Sequence, residues 1–178
     1  MGHHLHAFVG RPEVVARLGT AFPALRLLTL RQGIALAPIT EEMIPDDIDD
    51  PGGPGVCRVL TAWMAEAAAT ASRGALLGWL ESDFFGGMGG TETALWREGA
   101  WEDPGSANDL LRTLGVVRAL PPPEPGWMAA LVRWQVPPRP MDEWDSVNLG
   151  AWRSSDRAWA AAEPVVGLRG VVPGEGSR

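Results

Sequence analysis

The segment "ALLGWLESDFF", residues 75–85, constrains the fold most, because its first half is apolar on both faces. Such a strand is typical of the middle of a sheet that is covered on both sides. Side chains alternate along a strand, so Trp79, Glu81 and Asp83 share one face. The sequence therefore predicts a central strand on which two acids continue a face that begins buried.

The rest of the chain predicts an α+β fold. Apolar residues recur at helical spacing in three stretches: 10–22, 58–72 and 106–114. Short apolar runs between them indicate strands, and 178 residues suit one hydrophobic core. We expect a single domain over residues 1–162, with a central, mostly antiparallel sheet and helices packed mainly on one face. Residues 163–178 have no apolar period and are expected to form a flexible tail.

Two tight turns are expected around the strand that follows. Residues 93–101, "TALWREGAW", predict a hairpin with Glu98 and Gly99 at its turn. The glycine cluster "FFGGMGG" before it fits neither GxGxxG nor GxxxxGK[ST], and the chain has no lysine to complete a phosphate loop. It is expected to connect two strands, and the alternative is a loop that contacts a ligand through four glycines: Gly86, Gly87, Gly89 and Gly90.

The net charge of −7 comes almost entirely from one stretch, "EEMIPDDIDD", residues 41–50. The spacing fails the EF-hand pattern, because Pro51 and Arg58 fall where oxygen ligands are needed. A solvated charge run and a docking surface for a basic partner both remain open. The acids that would form this surface are Glu41, Glu42, Asp46, Asp47, Asp49 and Asp50.

Glu81 and Asp83 are the candidates for chemistry. Their spacing of two along a strand places their backbones about 6–7 Å apart, close enough for each carboxylate to shift the pKa of the other. Three interpretations stay open: acids paired with Arg97 across the hairpin, a ligand or partner contact, and catalysis.

The chain offers few nucleophile and base combinations. Its histidines, His3, His4 and His6, lie near the N-terminus without an HExxH spacing, and we expect them to be incidental. The lone Cys57 is expected to be a small buried side chain. A hydrolase triad would have to draw on these three histidines, which argues against that class.

Several segments together resemble a group of uncharacterised, single-domain bacterial proteins of actinobacterial type. The shared motifs are acid, any residue, acid, aromatic, Phe, Gly, Gly over residues 81–87, and an Asp-Glu-Phe-Asp pattern that appears as "DEWD" over residues 142–145. This chain differs by Phe84 where tyrosine is usual, Trp144 for phenylalanine, and Thr91 where glutamine often stands. The resemblance implies the domain but no activity, although small acidic proteins of this kind are often compared with toxin-immunity proteins.

We therefore expect a cytoplasmic, non-enzymatic interaction protein, an immunity-type inhibitor of a basic partner protein. Its binding surface would use the acids of residues 41–50, with Glu81, Asp83 and Trp144. The alternative is a small-molecule-binding protein or an enzyme that uses Glu81 and Asp83 beside the glycine cluster. No metal or cofactor is expected. No membrane segment is expected because a long apolar run is missing, and no nucleic-acid partner because a basic footprint is missing.

Overall fold

A computed structural model of the protein describes residues 3–43, 57–85, 88–120, 141–152 and 154–165. The strands are β1 (His3–Gly10), β2 (Arg26–Thr29), β3 (Ala35–Pro38), β4 (Leu76–Phe85), β5 (Met88–Arg97), β6 (Ala100–Glu102) and β7 (Glu163–Pro164). The α-helices are α1 (Pro12–Val15), α2 (Ala62–Ala71), α3 (Ala107–Thr113), α4 (Glu143–Ser146) and α5 (Ser155–Ala161). Short 3₁₀ turns occupy Ala16–Thr20, Arg31–Gly33, Glu41–Met43 and Leu149–Ala151.

The seven strands form one antiparallel sheet in the order β6-β5-β4-β1-β3-β2-β7. The first strand lies in the middle and pairs with β3 on one side and β4 on the other. The predicted α+β class with a mostly antiparallel sheet is confirmed. The sheet extends to Pro164, two residues past the expected boundary at 162, and residues 166–178 of the expected tail lie outside the described residues.

Helices cover both faces of the sheet, which differs from the expectation that they pack mainly on one. One core joins Phe8, Trp79 and Trp96 to α1 and α2, and we call this side the α2 face. The other core joins Leu80 and Leu95 to α3 and α5, on what we call the α3 face. The apolar start of β4 requires this arrangement, since both of its faces must be removed from water.

The predicted turns are present. Phe85 pairs with Met88, so the glycine cluster connects β4 to β5 as a hairpin. Trp96 pairs with Trp101 across the turn at Glu98 and Gly99, whose φ angles of 53° and 82° are those that a tight hairpin turn requires.

Helix capping also follows the sequence. Ser106 and Asp109 form a reciprocal capping box at the start of α3. The Thr61 side chain accepts a hydrogen bond from the Met64 backbone N–H and so caps α2. The two capped helices pack on opposite faces of the sheet, α2 on the core of Trp79 and α3 on the core of Leu80.

Candidate functional site

Beyond its apolar half, the α2 face becomes a row of titratable side chains. The register pairs His6 with Glu81 and Glu81 with Glu92, across β1, β4 and β5. One step further along, His4 pairs with Asp83. Because side chains alternate, all five point to the same face as Trp79.

Glu81 holds the chain that leads into α2. Its side chain is only 5% exposed. The backbone N–H of Arg58 lies 3.1 Å from both carboxylate oxygens, and the N–H of Val59 lies 3.0 Å from Oε2. These charge-assisted bonds are of the strong kind, so Glu81 is a structural anchor as well as a wall of the site.

Arg97 does not neutralise either acid, in contrast to the ion pair considered from the sequence. It lies opposite Leu76 at the far end of the hairpin, and its Nε is 3.0 Å from Oε1 of Glu102. The residue opposite Glu81 on β5 is Glu92, and Arg97 lies five residues further along that strand.

Asp83 has a different environment from Glu81 although both lie on one strand face. Its side chain is 64% exposed, and its Oδ1 lies 3.7 Å from Nδ1 of His4, a contact that is an ion pair only when His4 is protonated. Asp83 is therefore available to a partner or ligand, whereas the Glu81 carboxylate already accepts hydrogen bonds from the backbone N–H groups of Arg58 and Val59.

Cys57 lies next to two members of this row, Glu81 and Glu92. One potential ligand atom from each of Cys57, Glu81 and Glu92 lies within 4.8 Å of the others. Burial, together with the two nearby carboxylates, raises the pKa of the Cys57 thiol to about 12. Oε2 of Glu92 is buried and has no hydrogen-bond partner among the residues that the structure describes.

His6 is a buried neutral base. Its backbone N–H donates to Ser155 Oγ at 2.8 Å, which fixes β1 against α5. Burial and the neighbouring His4, whose ring centroid is 4.4 Å away, lower the pKa of His6 to about 4. The imidazole is therefore uncharged near neutral pH.

Two clefts adjoin at this end of the sheet and share His4 and His6. The first, of about 350 Å³, is also lined by Arg58, Val59, Glu81, Asp83, Gly89, Gly90 and Glu92. The second, of about 420 Å³, is also lined by Ile39, Thr40, Glu41, Glu42, Ser154, Ser155, Asp156 and Trp159. We call them together the acidic clefts.

The structure brings many of the predicted site residues together here. Glu41 and Glu42 are exposed on one cleft, and Gly89 and Gly90 line the other beside Glu81 and Asp83. At Gly89 the backbone has a φ of 139°, and an added Cβ would collide with the carbonyl oxygen of Asp83. The remaining predicted residues, Asp46, Asp47, Asp49, Asp50, Gly86 and Gly87, lie outside the described residues.

Trp144 is not part of this site. It lies on α4 over the α3 face, where it packs on the second core and lines a separate cleft of about 470 Å³ with Phe84 and Asn108. Its backbone N–H donates to Asn108 Oδ1 at 3.0 Å. The sheet thus separates Trp144 from Glu81.

Sequence reasoning missed the histidines, Glu92 and Cys57 as members of the site. One signal was available, because His4 and His6 alternate in the same way as Glu81 and Asp83. Only the pairing of β1 with β4 shows that the two alternating sets face the same cleft.

Comparisons with known protein families, curated proteins and solved structures found no match for this chain. Within the described ranges, no helix has the length and apolar character that crossing a membrane requires.

Proposed function

We propose that the protein is a cytoplasmic, non-enzymatic interaction protein, an immunity-type inhibitor that binds a basic partner protein through the acidic clefts. One observation carries the proposal. Among the described residues that line the two clefts, six carry carboxyl groups and one is an arginine, Arg58. The six acids are Glu41, Glu42, Glu81, Asp83, Glu92 and Asp156.

The charge of this surface is suited to fast capture of a cation. Concave surfaces lined by one sign of charge focus the electric field and steer oppositely charged partners. The acidic stretch of residues 41–50 begins at Glu41 on the rim of one cleft, so the source of the net charge of −7 is attached to the same place. A partner's arginine or lysine side chain would enter the clefts end first.

The hydroxyl and thiol groups near the histidines support binding rather than covalent catalysis. Ser155 Oγ is hydrogen-bonded to the backbone of His6, and Ser154 Oγ accepts from the N–H of Arg157 as a helix cap. The Cys57 thiol has a pKa of about 12 and is protonated at neutral pH. These three groups are therefore engaged or unreactive in this arrangement.

The test is to express the proteins encoded beside this chain's gene one at a time, with and without the chain. We expect one basic neighbour to inhibit growth, and the chain to bind it and restore growth. The triple variant Glu41→Gln, Glu42→Gln and Asp83→Asn should bind it with an association rate about tenfold lower at low salt. The measurement is surface plasmon resonance across a salt series.

The matched control is the triple variant Glu13→Gln, Glu66→Gln and Glu163→Gln, which changes the net charge equally at exposed sites away from the clefts. It should keep the unmodified association rate. Equal slowing in both triple variants would mean that only overall charge matters. The absence of any neighbour that the chain neutralises would overturn the immunity role.

A small organic cation is a second candidate occupant, favoured by the position of Gly89 and Gly90 on the wall of the 350 Å³ cleft. Backbone at glycine allows a ligand to approach closely. Agmatine, spermidine and free arginine should raise the thermal midpoint of the isolated chain, and Asp83→Asn should remove the effect. No rise at millimolar ligand would exclude this candidate.

A further inference from the structure

Three side chains with metal-ligating atoms cluster at the 350 Å³ cleft, and two of them, Glu81 and Glu92, line it. Cys57 comes from the segment before α2, Glu81 from β4 and Glu92 from β5, and a ligand atom of each lies within 4.8 Å of the other two. One tetrahedral ion with ligand bonds of about 2.0–2.3 Å holds its ligand atoms about 3.3–3.8 Å apart, so side-chain shifts of about 1 Å would bring the three atoms onto one ion.

The two glutamates form a like-charge pair without an ion-pair partner among the described residues. They lie directly opposite each other in the β4–β5 ladder, where like charges are destabilising. The ion pairs found among the described residues include neither of them. Glu92 Oε2 is in addition buried without a hydrogen bond within those residues, which is a costly state for a carboxylate oxygen.

We propose that Cys57, Glu81 and Glu92 bind a zinc ion. Binding forms a Zn–S bond and releases the thiol proton to solvent. The two carboxylates supply oxygen ligands, and the positive charge of the ion compensates their negative charge. The thiolate selects Zn²⁺ over Ca²⁺ and Mg²⁺, which take oxygen ligands. Three protein ligands leave a fourth position open toward the cleft, where His6 and Asp83 lie.

The local structure holds the ligands in place before the ion arrives. The N–H groups of Arg58 and Val59, which follow Cys57 directly, bind the Glu81 carboxylate. This ties the cysteine segment to β4. Hydrogen bonds of that kind orient a ligating carboxylate and raise metal affinity.

The test uses the isolated full chain and therefore does not depend on any partner. Zn²⁺ competition with a chromogenic chelator should give one tight equivalent. Co²⁺ should give a near-ultraviolet thiolate charge-transfer band, which only Cys57 can produce because it is the single cysteine. Cys57→Ser should remove the band and weaken Zn²⁺ binding at least about 100-fold, and Glu92→Gln should weaken it more than tenfold.

Two controls separate this site from other binding. Glu66→Gln, an exposed acid on α2, should leave Zn²⁺ affinity unchanged. Replacement of His3 and His4 by Gln should keep the charge-transfer band. The proposal is overturned if Co²⁺ gives no thiolate band, or if Zn²⁺ affinity survives Cys57→Ser and is lost with the histidines.

Discussion

Two buried glutamates on opposite faces of the sheet have different kinds of hydrogen-bond donors. Glu143, on α4 over the α3 face, is 2% exposed, and Glu81, on the α2 face, is 5% exposed. Oε1 of Glu143 accepts from Arg112 Nε at 2.9 Å and Arg118 Nε at 3.1 Å. The only hydrogen-bond donors to Glu81 among the described residues are backbone N–H groups.

The two arginines determine the charge state of Glu143. Burial alone would raise the pKa of Glu143, but the hydrogen bonds from Arg112 and Arg118 outweigh it and hold the pKa below its ordinary value. Glu143 is thus paired through Oε1 with two arginines, of which Arg112 joins α4 to α3, while its Oε2 has no hydrogen-bond partner among the described residues. Glu81 faces another carboxylate, Glu92, and a neutral His6, and it makes no ion pair among the described residues, which is the basis of the proposed cation site.

The largest expected effect concerns His6 in the metal-free protein. Its pKa is 6.5 when unfolded and about 4 when folded, so the unfolded chain binds the proton first as pH falls. The stability from the neutral imidazole is present above pH 6.5 and is lost between pH 6.5 and 4, by roughly 3 kcal/mol. Urea unfolding at several pH values measures it.

The groups around His6 act on this loss of stability in both directions. His4 lowers the His6 pKa with burial, whereas Asp83 and Glu41 raise it. His6→Gln should remove the loss above pH 4.5. The loss from Glu143 follows only at lower pH, since its pKa lies below 4.5. An unchanged pH profile in His6→Gln would show that another group titrates in this window.

Next in size is the loss of the Glu81 anchor. Glu81→Ala removes the acceptor of the Arg58 and Val59 N–H groups, and we expect a loss of about 2 kcal/mol in the free energy of unfolding. Glu66→Ala, on an exposed position, is the matched control and should change it by less than about 0.5 kcal/mol. Equal effects of the two variants would contradict the anchoring role.

Replacing a glutamate by glutamine should change the free energy of unfolding in opposite directions on the two faces. Without metal, Glu92→Gln relieves repulsion with Glu81 and should stabilise the chain by about 0.5 kcal/mol. Glu143→Gln weakens the bonds from two half-exposed arginines and should destabilise it by about 1 kcal/mol. Chemical denaturation with chelator present measures both, and a shared sign would break the comparison.

Asp83→Asn should have the smallest effect on folding. Its pair with His4 is exposed on both sides, and such pairs contribute about 0.5 kcal/mol or less. Asp83→Asn should change only the binding of a partner or ligand at the acidic clefts. A loss as large as that of Glu81→Ala would mean that Asp83 has a structural partner.

Much of the central sheet could be predicted from local patterns. The apolar start of β4, the hairpin at the glycine cluster and the turn at Glu98 and Gly99 are encoded by neighbouring residues. The alternation that places Glu81 and Asp83 on one face is equally local. Their difference in burial is not, because it depends on where the segment before α2 packs.

The composition of the candidate site is a long-range property. His6 and Glu81 are 75 positions apart in the sequence and meet only through the β1–β4 register. Arg97 was considered a partner because it is near in sequence, yet the hairpin register moves it to the far end. Trp144 likewise belongs to the other face.

By itself, the sequence determined the α+β class, the central strand, its turns and the location of the negative charge, because these follow from periodicity and composition over a few residues. The tertiary structure decided that helices cover both faces, that the N-terminal histidines join the acids, and that Glu81 and Glu92 face each other without an ion pair to an arginine among the described residues. The physical reason is that strand pairing joins distant segments, and no local pattern encodes which segments become neighbours.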